Sequence, residues 1–156
     1  MATQETIHDH GYQMFEDLQL SSKEFYKTLE DLVKDYEYPG VTVKTEELKE
    51  GGWLSAKRQY FTISWQRHRF LVCASPFGRS FFISWWHQEG ANTGANIASK
   101  FGALGKAVAN NMENKTFFEI DNQIMFINCI TALIKIAIDK VKADKGYTLE
   151  KPQLLN

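Results

Sequence analysis

The sequence predicts an α+β domain: N-terminal helices, a four- to five-stranded antiparallel meander, and a long apolar C-terminal helix packed on the sheet. Three observations carry that expectation. Residues 54–87 hold three β-rich runs separated by turn residues. Ser21–Tyr36 is amphipathic at helical spacing. Residues 124–138 are apolar on nearly every helical side. A β-barrel wrapped round that last helix is the architectural alternative.

The 156 residues suit a single domain, 1–156, and suffice for a sizeable core. No repeat, low-complexity tract or linker divides them. The first twenty residues read as weakly helical. Ile7, Met14, Phe15 and Leu18 form a loose stripe interrupted by Gly11. His8 and His10 flank Asp9, and an H-x-H pair shares a face only on a strand. With no third ligand nearby, no metal site is expected.

Ser21 opens the clearer helix. Ser21 and Glu24 fit a capping box, and Phe25, Leu29, Leu32, Val33 and Tyr36 recur on one side. Pro39-Gly40 ends it. Val41–Glu50 begins with alternation and then turns charged, as an edge strand does. Gly51-Gly52 is a hairpin signal.

Ser55–His87 is the centre of the chain. It holds nine of the twenty-one aromatics and five Lys or Arg, without one Asp or Glu. Its strands fall at about 54–65, 69–75 and 79–87, with turns at Gln66-Arg67 and Ser75–Gly78. A two-residue first loop sets Phe61 opposite Val72 and Ile63 opposite Phe70. With Phe81, Ile83, Trp85 and Trp65 they make an apolar layer for the helices. The opposite face then carries Tyr60, Thr62, Ser64, Arg69, Leu71, Cys73, Phe82, Ser84 and Trp86. A solvated sheet face should alternate apolar with polar residues, and this one keeps its aromatics.

Residues 90–112 shift to Gly, Ala, Asn and Ser. Ile97, Phe101, Leu104 and Val108 form a helical stripe within 94–112, with Lys100 and Lys106 as its charges. Such a composition is similar to that of short cationic peptides that lie in a membrane interface. GALGK lacks the spacing of a phosphate-binding loop. Lys115–Ile120 reads as a short last strand, with Asp121 capping the helix beyond it. Residues 147–156 read as an extended tail.

Several function classes find little support. Net charge is −1, so the whole molecule is no electrostatic nucleic-acid binder. His68 and His87 fall at strand ends, where Ser64, Ser84 or Cys73 could stand near them, but no nucleophile elbow accompanies them. Cys73 and Cys129 have no zinc spacing. The chain shows no signal peptide and no apolar run long enough to span a bilayer, so a cytoplasmic protein without cofactor or metal is expected.

The resulting expectation is a non-catalytic interaction module, an adaptor or a homo-oligomer. It would bind a protein partner, its own copy or a membrane surface through Tyr60, Arg69, Leu71, Phe82 and Trp86, together with Ile97, Phe101, Leu104 and Val108. The alternative is binding of an anionic ligand or single-stranded nucleic acid by Lys57, Arg58, Arg67, Arg69 and Arg79, with aromatics stacking bases.

Overall fold

A computed structural model describes residues 6–49, 57–90 and 115–146. Five strands and two helices follow in the order β1 (Thr6–Phe15), α1 (Ser22–Asp35), β2 (Thr42–Lys49), β3 (Lys57–Trp65), β4 (His68–Phe77), β5 (Ser80–Glu89) and α2 (Phe117–Asp144). The sheet order is β1-β5-β4-β3-β2, and every neighbouring pair is antiparallel. The α+β class and the meander are as expected. Both helices cover the same face of an open sheet, and the core lies between.

The central register is the one a two-residue loop requires. Phe61 pairs with Val72 and Ile63 with Phe70. Gln66 makes the turn at a φ of 53°. The second turn is shifted from Ser75–Gly78 to Gly78-Arg79, because β4 runs on to Phe77 and Pro76 pairs with Phe81. Proline is tolerated there because β3–β4 pairing stops at Phe61–Val72, so a missing N–H on that side breaks no ladder bond. The ladder is continued by a side chain from α1. The Tyr26 hydroxyl donates to the Gln59 carbonyl at 2.7 Å and accepts from the Ala74 N–H at 3.0 Å.

The N-terminal segment corrects the sequence reading. Thr6–Phe15 is a strand on β5, not a weak helix. The side chains that matter alternate: His10, Tyr12 and Met14 stand on one face, Gly11, Gln13 and Phe15 on the other. Gly11 is required because the indole of Trp85 lies over it; a Cβ there would overlap the ring.

Helix α1 has the expected capping box. The Ser21 N–H donates to Glu24 Oε2 at 3.0 Å, and the Glu24 N–H donates to Ser21 Oγ at 3.1 Å. It buries Phe25, Tyr26, Leu29, Leu32 and Val33, whereas Tyr36 is the exposed C-cap and stacks on Tyr38 at 5.7 Å.

Lys115–Ile120 is not a strand. Thr116 and Glu119 form a second capping box, so α2 starts at Phe117 and Asp121 lies inside it. The helix rises about 40 Å. It buries Phe126, Ile130, Leu133, Ile134, Ala137, Ile138 and Val141. It is not buried on most sides, however. Phe117 is 90% exposed, and Phe118, Ile124 and Met125 are also exposed. No described helix is long and apolar enough to cross a membrane.

Candidate interaction surface

The sheet face turned away from the helices is built from every other residue of all five strands. By register it carries His10, Tyr12 and Met14 on β1, and Phe82, Ser84 and Trp86 on β5. It continues through Arg69, Leu71 and Cys73 on β4, Arg58, Tyr60, Thr62 and Ser64 on β3, and Lys44, Glu46 and Leu48 on β2. Tyr60, Arg69, Leu71, Phe82 and Trp86 therefore share one surface. No described helix covers it.

Its height is uneven. Leu71, Cys73, Thr62 and Ser84 form a buried floor among taller neighbours. Towards β1 the apolar side chains rise into solvent, with Tyr12 66% and Met14 53% exposed. Four rings run in a ladder across β1 and β5. His10 stacks on Trp86 at 3.6 Å between centroids with planes 20° apart. Tyr12 follows at 6.2 Å from His10, and Phe82 lies 6.2 Å from Tyr12, each pair inclined by 29°. Sequence reasoning missed the β1 half. Its signal is the period-two run H-x-H-x-Y-x-M over 8–14.

The electrostatics of the face are mostly settled internally. Arg69 Nε donates to Gln88 Oε1 at 3.1 Å. Glu46 is bound by Lys44 and accepts from Thr62 Oγ1 at 2.8 Å. Burial pushes the Glu46 carboxyl up, but the Lys44 and Thr62 bonds and the charges of Lys44 and Arg69 outweigh it and hold it below the usual range. Burial pushes the Cys73 thiol up, against the opposing influence of Arg58. Both cysteines are free, one on this face and the other on α2.

The five cations proposed for anion binding are not gathered together. Arg67 lies in the β3–β4 turn, bonded to Glu89 at 2.6 Å. Arg79 lies in the turn at the other end of β4, bonded to Asp17 at 3.0 Å. Only Arg58 and Arg69 share the open face among the described side chains; Lys57 is on β3 with its side chain outside them. Ile97, Phe101, Leu104 and Val108 lie outside the described residues, as do 147–156.

The two histidines occupy the opposite, helix-covered face. His68 Nδ1 and His87 Nε2 are 3.2 Å apart, both buried, against Phe70 and Phe126. Ser64, Ser84 and Cys73 are across the sheet from them, so the nucleophile–base pairings that the sequence suggested do not form. Next to the imidazoles, Glu89 accepts from Arg67 and from Lys115, each at 2.6 Å, and ties the end of β5 to the foot of α2. No cluster of three or more metal-ligating side chains exists among the described residues.

No protein-family model, no curated protein and no solved structure matches this chain.

Proposed function

We infer that this chain is a non-catalytic interaction module that binds a protein partner through the open face of its sheet. The observation that carries the reading is the ring ladder Trp86–His10–Tyr12–Phe82, whose member Tyr12 stands largely in solvent. Large apolar groups placed together outside the core are what interfaces use as anchors. Aromatic side chains give much contact area for little lost conformational freedom. The placement of His68 and His87 in the core also favours binding over catalysis.

The cation arrangement favours a protein over single-stranded nucleic acid. A phosphate chain needs several cations beside the stacking rings. Here Arg67 and Arg79 have carboxylate partners at opposite ends of β4, and Arg69 faces Glu46 and Gln88. Oligonucleotide titration at low salt tests that alternative, and the protein reading expects no quenching of Trp emission.

Quantitative affinity capture tests the main reading. The wild type is compared with the variant Tyr12→Ser, Phe82→Ser, Trp86→Ser. A polypeptide retained in stoichiometric amount by the wild type, lost with the variant, and binding again when purified supports the reading. Equal capture by both chains refutes it.

A further inference from the structure

Two titratable rings sit in an otherwise apolar layer where the sheet meets α2. His68 opens β4 and His87 stands near the end of β5; they are 3% and 0% exposed. His68 Nδ1 and His87 Nε2 are 3.2 Å apart, with the rings stacked at 5.3 Å and inclined by 25°. Phe126 of α2 lies on both, 6.1 Å from His68 and 6.4 Å from His87, with Trp65 and Phe70 beside it. The first part of α2 depends on this contact. Among Phe117–Met125 only Asn122 is buried. The second tie at this end is the ion pair of Lys115 with Glu89 at 2.6 Å. Beyond Phe126 the hold is different, because Ile130, Leu133, Ile134, Ala137, Ile138 and Val141 are all in the core.

We propose that His68 and His87 form an acid-sensitive latch: together they hold the first part of α2 on the sheet, and uptake of a proton by each releases it. The contact between the rings needs one N–H and one nitrogen lone pair, so it survives with both rings neutral or with one charged. With both charged, two N–H groups face each other and two like charges share a dry site. The surroundings do not accommodate the second charge. Among the described side chains, the β3–β4 turn brings Arg67, β5 brings Glu89 and the approach to α2 brings Lys115, so two cations already share one carboxylate. α2 itself faces the rings with Phe126, and the register partner of His68 on β3 is Trp65. On β1 the register partner of His87 is Asp9, one acidic position for two protons. In an unfolded chain both imidazoles charge near about pH 6.5. The closed pair binds at least one proton fewer, so the latch holds above that pH and weakens as pH falls below it. Opening uncovers Phe70 and Phe126, an apolar patch that neutral pH conceals. The latch lies on the layer opposite the open face and acts whatever that face binds.

Amide hydrogen exchange at pH 7.5 and 5.5, corrected for the intrinsic rate at each pH, tests it. Each proton that the closed pair refuses raises the opening constant about tenfold between these two values. Residues 117–126 of the wild type therefore open at least about tenfold more readily at pH 5.5, while residues 130–141 keep their protection. His68→Gln combined with His87→Gln, which leaves His8 and His10 in place, removes the response. Carbon-13 histidine spectra of the wild type give a reading that needs no altered core, with His8→Gln and His10→Gln assigning the other two rings. The resonances of the pair reach their fully protonated positions only at the pH where residues 117–126 open. Both rings charging fully while 117–126 stays protected overturns the proposal. So does exchange of 117–126 that ignores pH, acceleration spread evenly over the whole chain, or an equal response in the folded double variant.

Discussion

Replacing Tyr26 by Phe removes one oxygen and leaves the ring. The ring stays useful, since it stacks on Phe61 at 5.7 Å with planes 19° apart. What is lost is the group that bridges β3 and β4 where their ladder ends, donating to Gln59 and accepting from Ala74. The Ala74 N–H is buried and would lose its acceptor, which costs about 1–3 kcal/mol. The Gln59 carbonyl is nearer to water and adds about 0.5–1 kcal/mol. The expected loss is therefore about 1.5–4 kcal/mol, measured by urea unfolding with an unchanged slope. For a chain of this size that corresponds to a fall in Tm of about 3–16 °C. Hydrogen exchange at the Ala74 amide should accelerate in the variant. Alkaline pH reads the burial of the same hydroxyl. Burial pushes the Tyr26 hydroxyl up to about 12, against the opposing bond from Ala74. A folded-state value above the unfolded one of about 10 means stability present below pH 10 and lost as pH rises towards 12. Tyr26→Phe should lack that part of the alkaline slope. A stability change under about 0.5 kcal/mol, with Ala74 still protected, would refute the bridging role, because it means β3 and β4 close directly on one another.

Three further outcomes follow from the geometry. Gly11→Ala forces a methyl group into the Trp85 indole and should cost about 1–3 kcal/mol, with a changed near-ultraviolet dichroism signal from the displaced ring. Glu89→Gln leaves Arg67 and Lys115 without their shared carboxylate at a mostly buried site; unfolding by urea should show a loss of about 3 kcal/mol. Thr116→Ala removes the α2 cap and should cost about 1 kcal/mol, with faster amide exchange confined to the first turn of that helix.

The parts of the fold legible in the sequence are those where burial enforces periodicity. Phe61, Ile63, Phe70 and Val72 had to share a face, and a two-residue loop left one register that allowed it. The same reasoning placed Tyr60, Arg69, Leu71, Phe82 and Trp86 on the opposite surface. β1 was misread because its helix-side residues, Gly11 and Gln13, carry no apolar signal. Glycine there serves a tryptophan on another strand, which no local pattern reveals. Phe15 and Leu18 then imitate a helical stripe. The start of α2 was misread because the aromatic pair Phe117-Phe118 resembles a strand, while the decisive feature is the T-x-x-E spacing of Thr116 and Glu119. The exposed outer side of α2 was illegible for a different reason. An all-apolar helix signals burial, but only the neighbouring elements determine which of its sides are covered.

That exposed side of α2 supplies the control for the open face. Phe117, Phe118, Ile124 and Met125 are a second exposed apolar surface, on the far layer of the molecule from the open face. The most direct test compares partner retention by two folded variants, Tyr12→Ser with Phe82→Ser and Trp86→Ser, and Phe117→Ser with Phe118→Ser and Met125→Ser. The first set should abolish retention and the second should leave it within about twofold of the wild type, less than half a kcal/mol. Retention that survives the first set and disappears with the second would contradict the open-face reading and move the interface to α2.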